Sequence, residues 1–156
     1  MLVGDGSYLM MAQELVTAVA ERVKLVVVLI DNHGFASIGA LSESVGSQRF
    51  GTSYRYRSPD GRLDGDYLPV DLAANAESLG VRVLRARGTD EFRAALGQAR
   101  AAGETTVVYI ETDPLIPAPD GGGWWDVPVA ATAALPSTRD ARAAYEAAKQ
   151  QQRDYL

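Results

Sequence analysis

Leu25 to Ile30 is an unbroken run of six apolar residues, largely β-branched, closed by Asp31 and Asn32. A strand built from it has no polar alternation, so neither face can meet water. Such a strand belongs inside a parallel sheet with helices on both sides. The run is far too short to cross a bilayer. The neighbouring elements alternate as that sheet requires. Met1 to Val3 reads as the end of a strand, and Leu9 to Arg22 as a helix with apolar residues at 9, 12, 15, 16, 19 and 23. From Gly34 to Asp66 the chain is rich in Gly, Ser, Arg and Tyr and reads as a long irregular stretch. Pro69 then opens a helix to about Leu79, in its favoured first-turn position. Val81 to Ala86 is a strand, Thr89 caps a helix to about Ala102, and Thr105 to Glu111 is a strand. The order β-α-β-loop-α-β-α-β predicts an α/β fold with a parallel sheet and helices on both faces.

A turn-rich connector follows, with Pro114 to Pro119, Gly121 to Gly123, and Trp124 and Trp125 as packing anchors. The alanine-rich stretch from Ser137 to Gln152 is a last helix, either a cover for the domain or a subunit contact. This divides the chain into a domain over 1–136 and a helical tail over 137–156. A formal charge of −5 speaks against nonspecific nucleic-acid binding, which needs an excess of Lys and Arg. There is no cysteine and a single histidine, so disulfides, thiolate sites and His-rich metal sites are excluded. No signal peptide is expected, because Gly4-Asp5-Gly6 interrupts the start, and a cytoplasmic location without membrane association suits this chain.

Ligands of parallel sheets sit at the carboxyl ends of the strands. Gly4-Asp5-Gly6-Ser7 ends the first strand and Asp31-Asn32-His33-Gly34 the second. A helix of about 14 residues rises ~21 Å, and a returning strand of about seven covers ~23 Å. The matched lengths return Asp5 and Asn32 to one edge, about one strand spacing apart, where a carboxylate and an amide oxygen can share a hard cation. Magnesium takes six oxygens and draws several from phosphate and water. Asp5, Asn32 and a main-chain oxygen near Gly34 would supply three, leaving room for a diphosphate. Gly4 and Gly6 let the backbone approach the phosphates, while Ser7 and the first amides of the following helix donate to them. A dinucleotide site is the rival, but Leu9 stands where that fingerprint needs a third glycine.

Gly-Asp-Gly followed roughly two dozen residues later by Asn resembles the thiamine diphosphate signature. The resemblance implies Asp5 and Asn32 as metal ligands, with the Gly34 carbonyl completing the protein's share. Asp31 stands where many members carry a second asparagine, a change that leaves the ligand set intact. The stretch from Gly34-Phe35-Ala36-Ser37-Ile38-Gly39 to Arg49-Phe50-Gly51-Thr52 is similar to the trihydroxycyclohexanedione hydrolases of inositol breakdown. So are Asp64-Gly65-Asp66-Tyr67-Leu68-Pro69, Tyr109-Ile110-Glu111-Thr112-Asp113-Pro114 and Trp124-Trp125-Asp126-Val127-Pro128.

That resemblance implies an incomplete diphosphate-binding domain of a thiamine diphosphate- and Mg²⁺-dependent hydrolase acting on a cyclic 1,2-diketone. It also implies a homo-oligomer, with the pyrimidine-binding domain of a neighbouring subunit as partner and an isolated chain without turnover. An acetolactate synthase-like carboligase or decarboxylase, or a noncatalytic remnant, are the alternatives. No catalytic side chain is assigned. His33 either touches substrate or bonds locally. Arg49, Arg55 and Arg57 either grip a polyhydroxylated ligand or form a solvated basic loop, and Ser37, Ser42, Ser44 and Gln48 are further candidates on the same stretch.

Overall fold

The computed structural model describes residues 1–116 and 126–153. The apolar run forms β2 (Val26–Asp31), and the other strands are β1 (Leu2–Gly4), β3 (Arg82–Ala86) and β4 (Thr106–Glu111). All pairings are parallel, in the order β1-β2-β4-β3. β2 therefore lies inside the sheet, as its lack of alternation requires. Its residues separate by parity. Val27 and Leu29 join Val107 and Tyr109 in the larger core cluster, while Val26 packs with Val108 in the smaller one.

The larger cluster is closed by Tyr8 of α1 (Asp5–Met11), Leu15 of α2 (Glu14–Ala20), and Leu72, Ala73 and Ala76 of the helix Leu72–Ser78. The smaller one is closed by Ala95 and Ala99 of the helix Thr89–Ala101. Helices thus cover both faces.

Four local readings change. The single helix expected from Leu9 is two short ones, broken at Ala12 and Gln13, and the first begins at Asp5. The segment is apolar on two sides: Tyr8, Leu15 and Ala18 are buried, whereas Leu9, Val16, Val19 and Val23 are exposed. Periodicity alone could not say which stripe faces inward.

The stretch after Gly34 is not wholly irregular, because it contains α3 (Ala36–Ser44). Its serines and Gly39 are weak helix formers. The Gly39 amide nevertheless donates to the Phe35 carbonyl at 2.9 Å, and Gly39 is the helix's buried residue.

Pro69 lies ahead of its helix. The helix α4 (Leu72–Ser78) is capped by Asp71, whose carboxylate accepts from the Ala74 amide at 2.9 Å. Thr89 is the first residue of α5 (Thr89–Ala101), and the capping position is Gly88.

The last helix, α6 (Pro136–Gln150), opens on a proline in its first turn. Ser137 and Thr138 donate their hydroxyls to the Gly46 carbonyl at 2.6 and 2.8 Å. Gly46 has φ 79°, and a Cβ there would press on the Ser137 backbone, so glycine is required. Trp124 and Trp125 lie outside the described residues. Among the described residues no helix is long and apolar enough to cross a membrane.

Leu29 is fully buried at the centre of β2. Leu29→Ala should cost about 2–5 kcal/mol through lost burial and the cavity left behind. Urea denaturation measures it, and a loss below about 1 kcal/mol would mean that this core is looser than described.

Candidate functional site

β1 and β2 are in parallel register with Gly4 beside Ile30. The residue after each is an aspartate, so Asp5, which opens α1, and Asp31, which ends β2, arrive together at the carboxyl edge. Both are almost fully enclosed, at 1% and 2% exposure. Buried carboxylates need hydrogen bonds, and Asp5 takes three from the main chain. Its Oδ1 accepts from the Gly6 amide at 2.8 Å, and its Oδ2 from the amides of Asn32 at 3.2 Å and Gly34 at 2.8 Å.

The turn that delivers those two amides depends on His33, which sits at φ 59° in the left-handed region. The Gly34 amide is thereby aimed at Asp5. A side chain at Gly34 would run into the Thr52 carbonyl, and one at Gly6 into the Phe35 ring. Both glycines are sites of close approach.

Burial raises the Asp5 carboxyl above the usual carboxylate range. The Gly34 amide opposes that rise, a hydrogen bond and charge repulsion from Asp31 add to it, and the Gly6 amide opposes it again. Asp31 is itself held on both oxygens. Its Oδ1 accepts from the His33 amide at 2.8 Å, and its Oδ2 from the Tyr109 hydroxyl at 2.8 Å. The Tyr109 hydroxyl also lies 3.0 Å from Glu111 Oε1. Burial and these acids push the phenol well above its ordinary pKa.

A second tyrosine stands over the pair. The Tyr54 hydroxyl is buried without a partner, and burial, with the charges of Asp5 and Asp31, pushes its pKa up to about 12. Its ring meets Phe35 edge-on at 6.2 Å. The other orphaned atom among the described residues is Asn32 Oδ1. An unpartnered buried acceptor, on the residue whose amide bonds Asp5, is unfavourable for the protein alone, as is a pair of enclosed carboxyls. Together they form the donor set a hard cation would satisfy. Among the described residues no three His, Cys, Asp or Glu side chains are placed to hold a metal ion by themselves, so a cation here must draw ligands from elsewhere, as magnesium does from phosphate.

Asp5, Asn32, Gly34 and Gly6 are therefore brought together, although Gly34 meets Asp5 through its N–H. Gly4 ends β1, and Ser7 is exposed in the first turn of α1. The Gly6 amide is already bonded to Asp5. Two cavities, about 310 and 470 Å³, share Asn32, Ala36, Arg49, Pro114 and Leu115 in their walls.

Of the loop candidates, Ser42 and Ser44 donate to the carbonyls of Gln48 and Leu41. Ser37 is exposed and lines the larger cavity. Gln48 lines the smaller. His33 has its Nδ1 3.7 Å from Asp31 and its ring 5.4 Å from that of Tyr67. Sequence reading missed Tyr54 and Tyr109. The second had a signal, since a tyrosine in a buried strand needs a partner for its hydroxyl, and register sets it beside Leu29, two residues before Asp31. Tyr54 had none.

A family model described as the C-terminal TPP binding domain of thiamine pyrophosphate enzymes matches residues 1–110. The 3D-(3,5/4)-trihydroxycyclohexane-1,2-dione hydrolase 2 of Bacillus cereus is 36% identical over 146 residues, covering 93% of this chain and 22% of that protein. The hydrolase of the same description from Clostridium perfringens is 35% identical over 129 residues, covering 83% of this chain and 20% of its own. The chain thus spans about a fifth of the length of these relatives. Among solved structures, benzoylformate decarboxylase from Polynucleobacter necessarius aligns with a TM-score of 0.58 at 21% identity, over 74% of this chain and 20% of that one. A thiamine diphosphate-dependent 4-hydroxybenzoylformate decarboxylase from Rhodococcus jostii gives 0.56 at 23%, over 72% and 19%. At these identities the likeness is one of fold.

The paired acids generate a pH effect. Asp5 holds its proton more tightly in the folded chain than in the unfolded one. The metal-free protein therefore loses stability as pH rises from the ordinary carboxylate range through the raised Asp5 value. Asp31→Asn removes the neighbouring acid and keeps an acceptor for the His33 amide. The metal-free variant should gain on the order of 1 kcal/mol at neutral pH, with a shallower fall. Urea denaturation across pH checks this, and an unchanged slope would contradict it.

Proposed function

The chain belongs to the thiamine pyrophosphate enzymes, whose C-terminal TPP-binding domain spans residues 1–110, and from that premise we propose the role of its carboxyl edge. Asp5, Asn32 and the Gly34 carbonyl hold a Mg²⁺ that carries the diphosphate of thiamine diphosphate. The observation that supports this is the orphaned Asn32 Oδ1, on the residue whose amide donates to the enclosed Asp5 carboxylate. Gly4, Gly6 and Ser7 line the approach of the phosphates. The Asp31–Tyr109 bond fixes the carboxyl edge from behind, so that Asp5 and Asn32 need not reorganise when the metal arrives.

The enzyme so formed is a hydrolase that cleaves the bond between the adjacent carbonyls of trihydroxycyclohexane-1,2-dione, opening the ring with water to a linear acid that carries an aldehyde. The names of the relatives at 35–37% identity support this substrate. When bound, the cofactor supplies a carbanion and an electron sink for that bond. This chain's residues bind the metal and diphosphate, and the two cavities beside Asn32 give the ring its space. The pyrimidine half of the cofactor belongs to a domain of a neighbouring subunit in a homo-oligomer. β1 as an edge strand, with Leu2, Met10 and Val16 exposed near it in sequence, supports a covering partner.

In the holoenzyme, Asp5→Ala should weaken Mg²⁺-dependent thiamine diphosphate binding by more than about 100-fold, since even residues behind a metal ligand cost 10–100-fold. Calorimetry reads it, and unchanged affinity would sink the metal assignment. The substrate assignment is checked separately. Holoenzyme given trihydroxycyclohexane-1,2-dione should form the ring-opened acid and leave pyruvate untouched. Rapid pyruvate consumption without ring opening would move the enzyme to the carboligases or decarboxylases.

A further inference from the structure

Four arginines lie between residues 49 and 62, and two of them are paired with nearby acids. Arg49 is neutralised by Glu43, with Nε at 2.8 Å and Nη2 at 2.7 Å from Oε2. Arg62 lies 3.6 Å from Asp60. Arg57 is exposed and donates to the Gly61 carbonyl. Arg55 is different. Its guanidinium carbon stands 3.9 Å over the centre of the Tyr67 ring, and Nη1 donates to the Gly65 carbonyl at 3.0 Å. No ion pair holds it among the described residues. A guanidinium has five N–H donors, and most of these remain for a ligand.

The backbone around Arg55 is braced. Arg55 and Tyr67 face each other across an antiparallel bridge. The amide of Tyr56 donates to Asp66 at 2.9 Å, that of Gly65 to Tyr56 at 3.0 Å, and that of Leu68 to Tyr54 at 2.8 Å. Stacking and bracing together fix the direction of the side chain before any ligand arrives. Arg55 lines the cavity of about 310 Å³, and that cavity shares Asn32 with the metal edge.

The rest of the wall narrows the ligand's chemistry. Gln48 and Ser53 offer neutral hydrogen bonds, and Asp64 adds a carboxylate whose Oδ1 accepts from Ser58 at 2.6 Å. With Arg49 and Arg62 already paired, a wall holding one unpaired cation and one acid disfavours a polyanion. It suits a ligand with a single negative charge and several hydroxyls.

We propose that this cavity binds a polyhydroxylated carboxylate, with the Arg55 guanidinium taking the carboxylate through two parallel N–H bonds. The inference rests on the ring-opening reading. There the substrate is neutral and the product is a linear hydroxy acid, so Arg55 recognises the charge that hydrolysis creates. It is a specificity residue for the product side of the reaction.

The test is binding, so it does not depend on turnover. The 156-residue chain is titrated by NMR with D-gluconate, with its neutral counterpart D-glucitol, and with Mg²⁺ plus inorganic diphosphate. Gluconate should bind and glucitol should not. Arg55→Gln should weaken gluconate at least about tenfold, the share of a charge-assisted pair, and leave Mg²⁺–diphosphate binding unchanged. Arg49→Gln should keep gluconate within about twofold. Arg55→Lys keeps a cation against Tyr67 and guards against misfolding; it should bind gluconate more weakly than wild type and more tightly than Arg55→Gln. Equal binding of gluconate by wild type and Arg55→Gln would overturn the proposal, as would no gluconate binding at all. Loss of Mg²⁺–diphosphate binding in Arg55→Gln would also overturn it, by moving Arg55 to the cofactor. Gluconate binding without Mg²⁺–diphosphate binding in the wild type would defeat the metal reading and leave this one standing.

Discussion

A carboxylate shut away from water has to find its hydrogen bonds inside the protein, and Asp5 finds them on three main-chain amides. One belongs to the start of α1 and two to the turn after β2, so a single side chain ties together the ends of two neighbouring strands. The constraint propagates. The turn must pass through a left-handed His33 to bring the Gly34 amide inward. Gly34 must then lie against Thr52, and the Phe35 amide, donating to the Thr52 carbonyl at 2.8 Å, fastens the loop that carries Tyr54 and Arg55. The cavities beside Asn32 exist because that loop is held where it is.

Behind Asp5 stands a second acid with its own support. Asp31 is braced by Tyr109 from the adjacent strand β4, so the sheet itself determines how the two carboxyls face. Placing acids together in a dry site opposes folding and favours a cation. The same arrangement that weakens the empty domain gives a metal more to gain on entering. Stability and binding are thus coupled through one pair of side chains.

Much of this could be read from residues alone, for identifiable reasons. The β2 run is apolar on both faces, so its place inside a parallel sheet followed at once. Asp5 and Asn32 meet because they follow neighbouring parallel strands that end at one edge, which the strand-helix-strand order already implied. What escaped depends on contacts that no local pattern encodes. The region before β2 carries two apolar stripes, and only packing selects Tyr8 and Leu15 over Leu9 and Val16. Pro69 and Asp71 both fit a helix start, and the bond to the Ala74 amide decides between them. That the Gly34 N–H also bonds Asp5 had no local sign, because it depends on the left-handed φ of His33. Tyr54 reaches the acids only through the path of a long loop.

The helices α4 and α5 bring several alanines into the two core clusters. Ala73 and Ala76 of α4 and Ala99 of α5 have no measurable exposure. A side chain no larger than a methyl group lets a helix lie close to a strand, and a fully enclosed one leaves little room for more atoms. Drift at these positions is therefore governed by size, and polarity matters less: serine or glycine can enter, whereas leucine would act as a wedge and lift the helix. Strand residues such as Val27 and Val107 can exchange among branched aliphatics with far less disturbance. Over evolutionary time the smallest side chains in this domain should be the slowest to change.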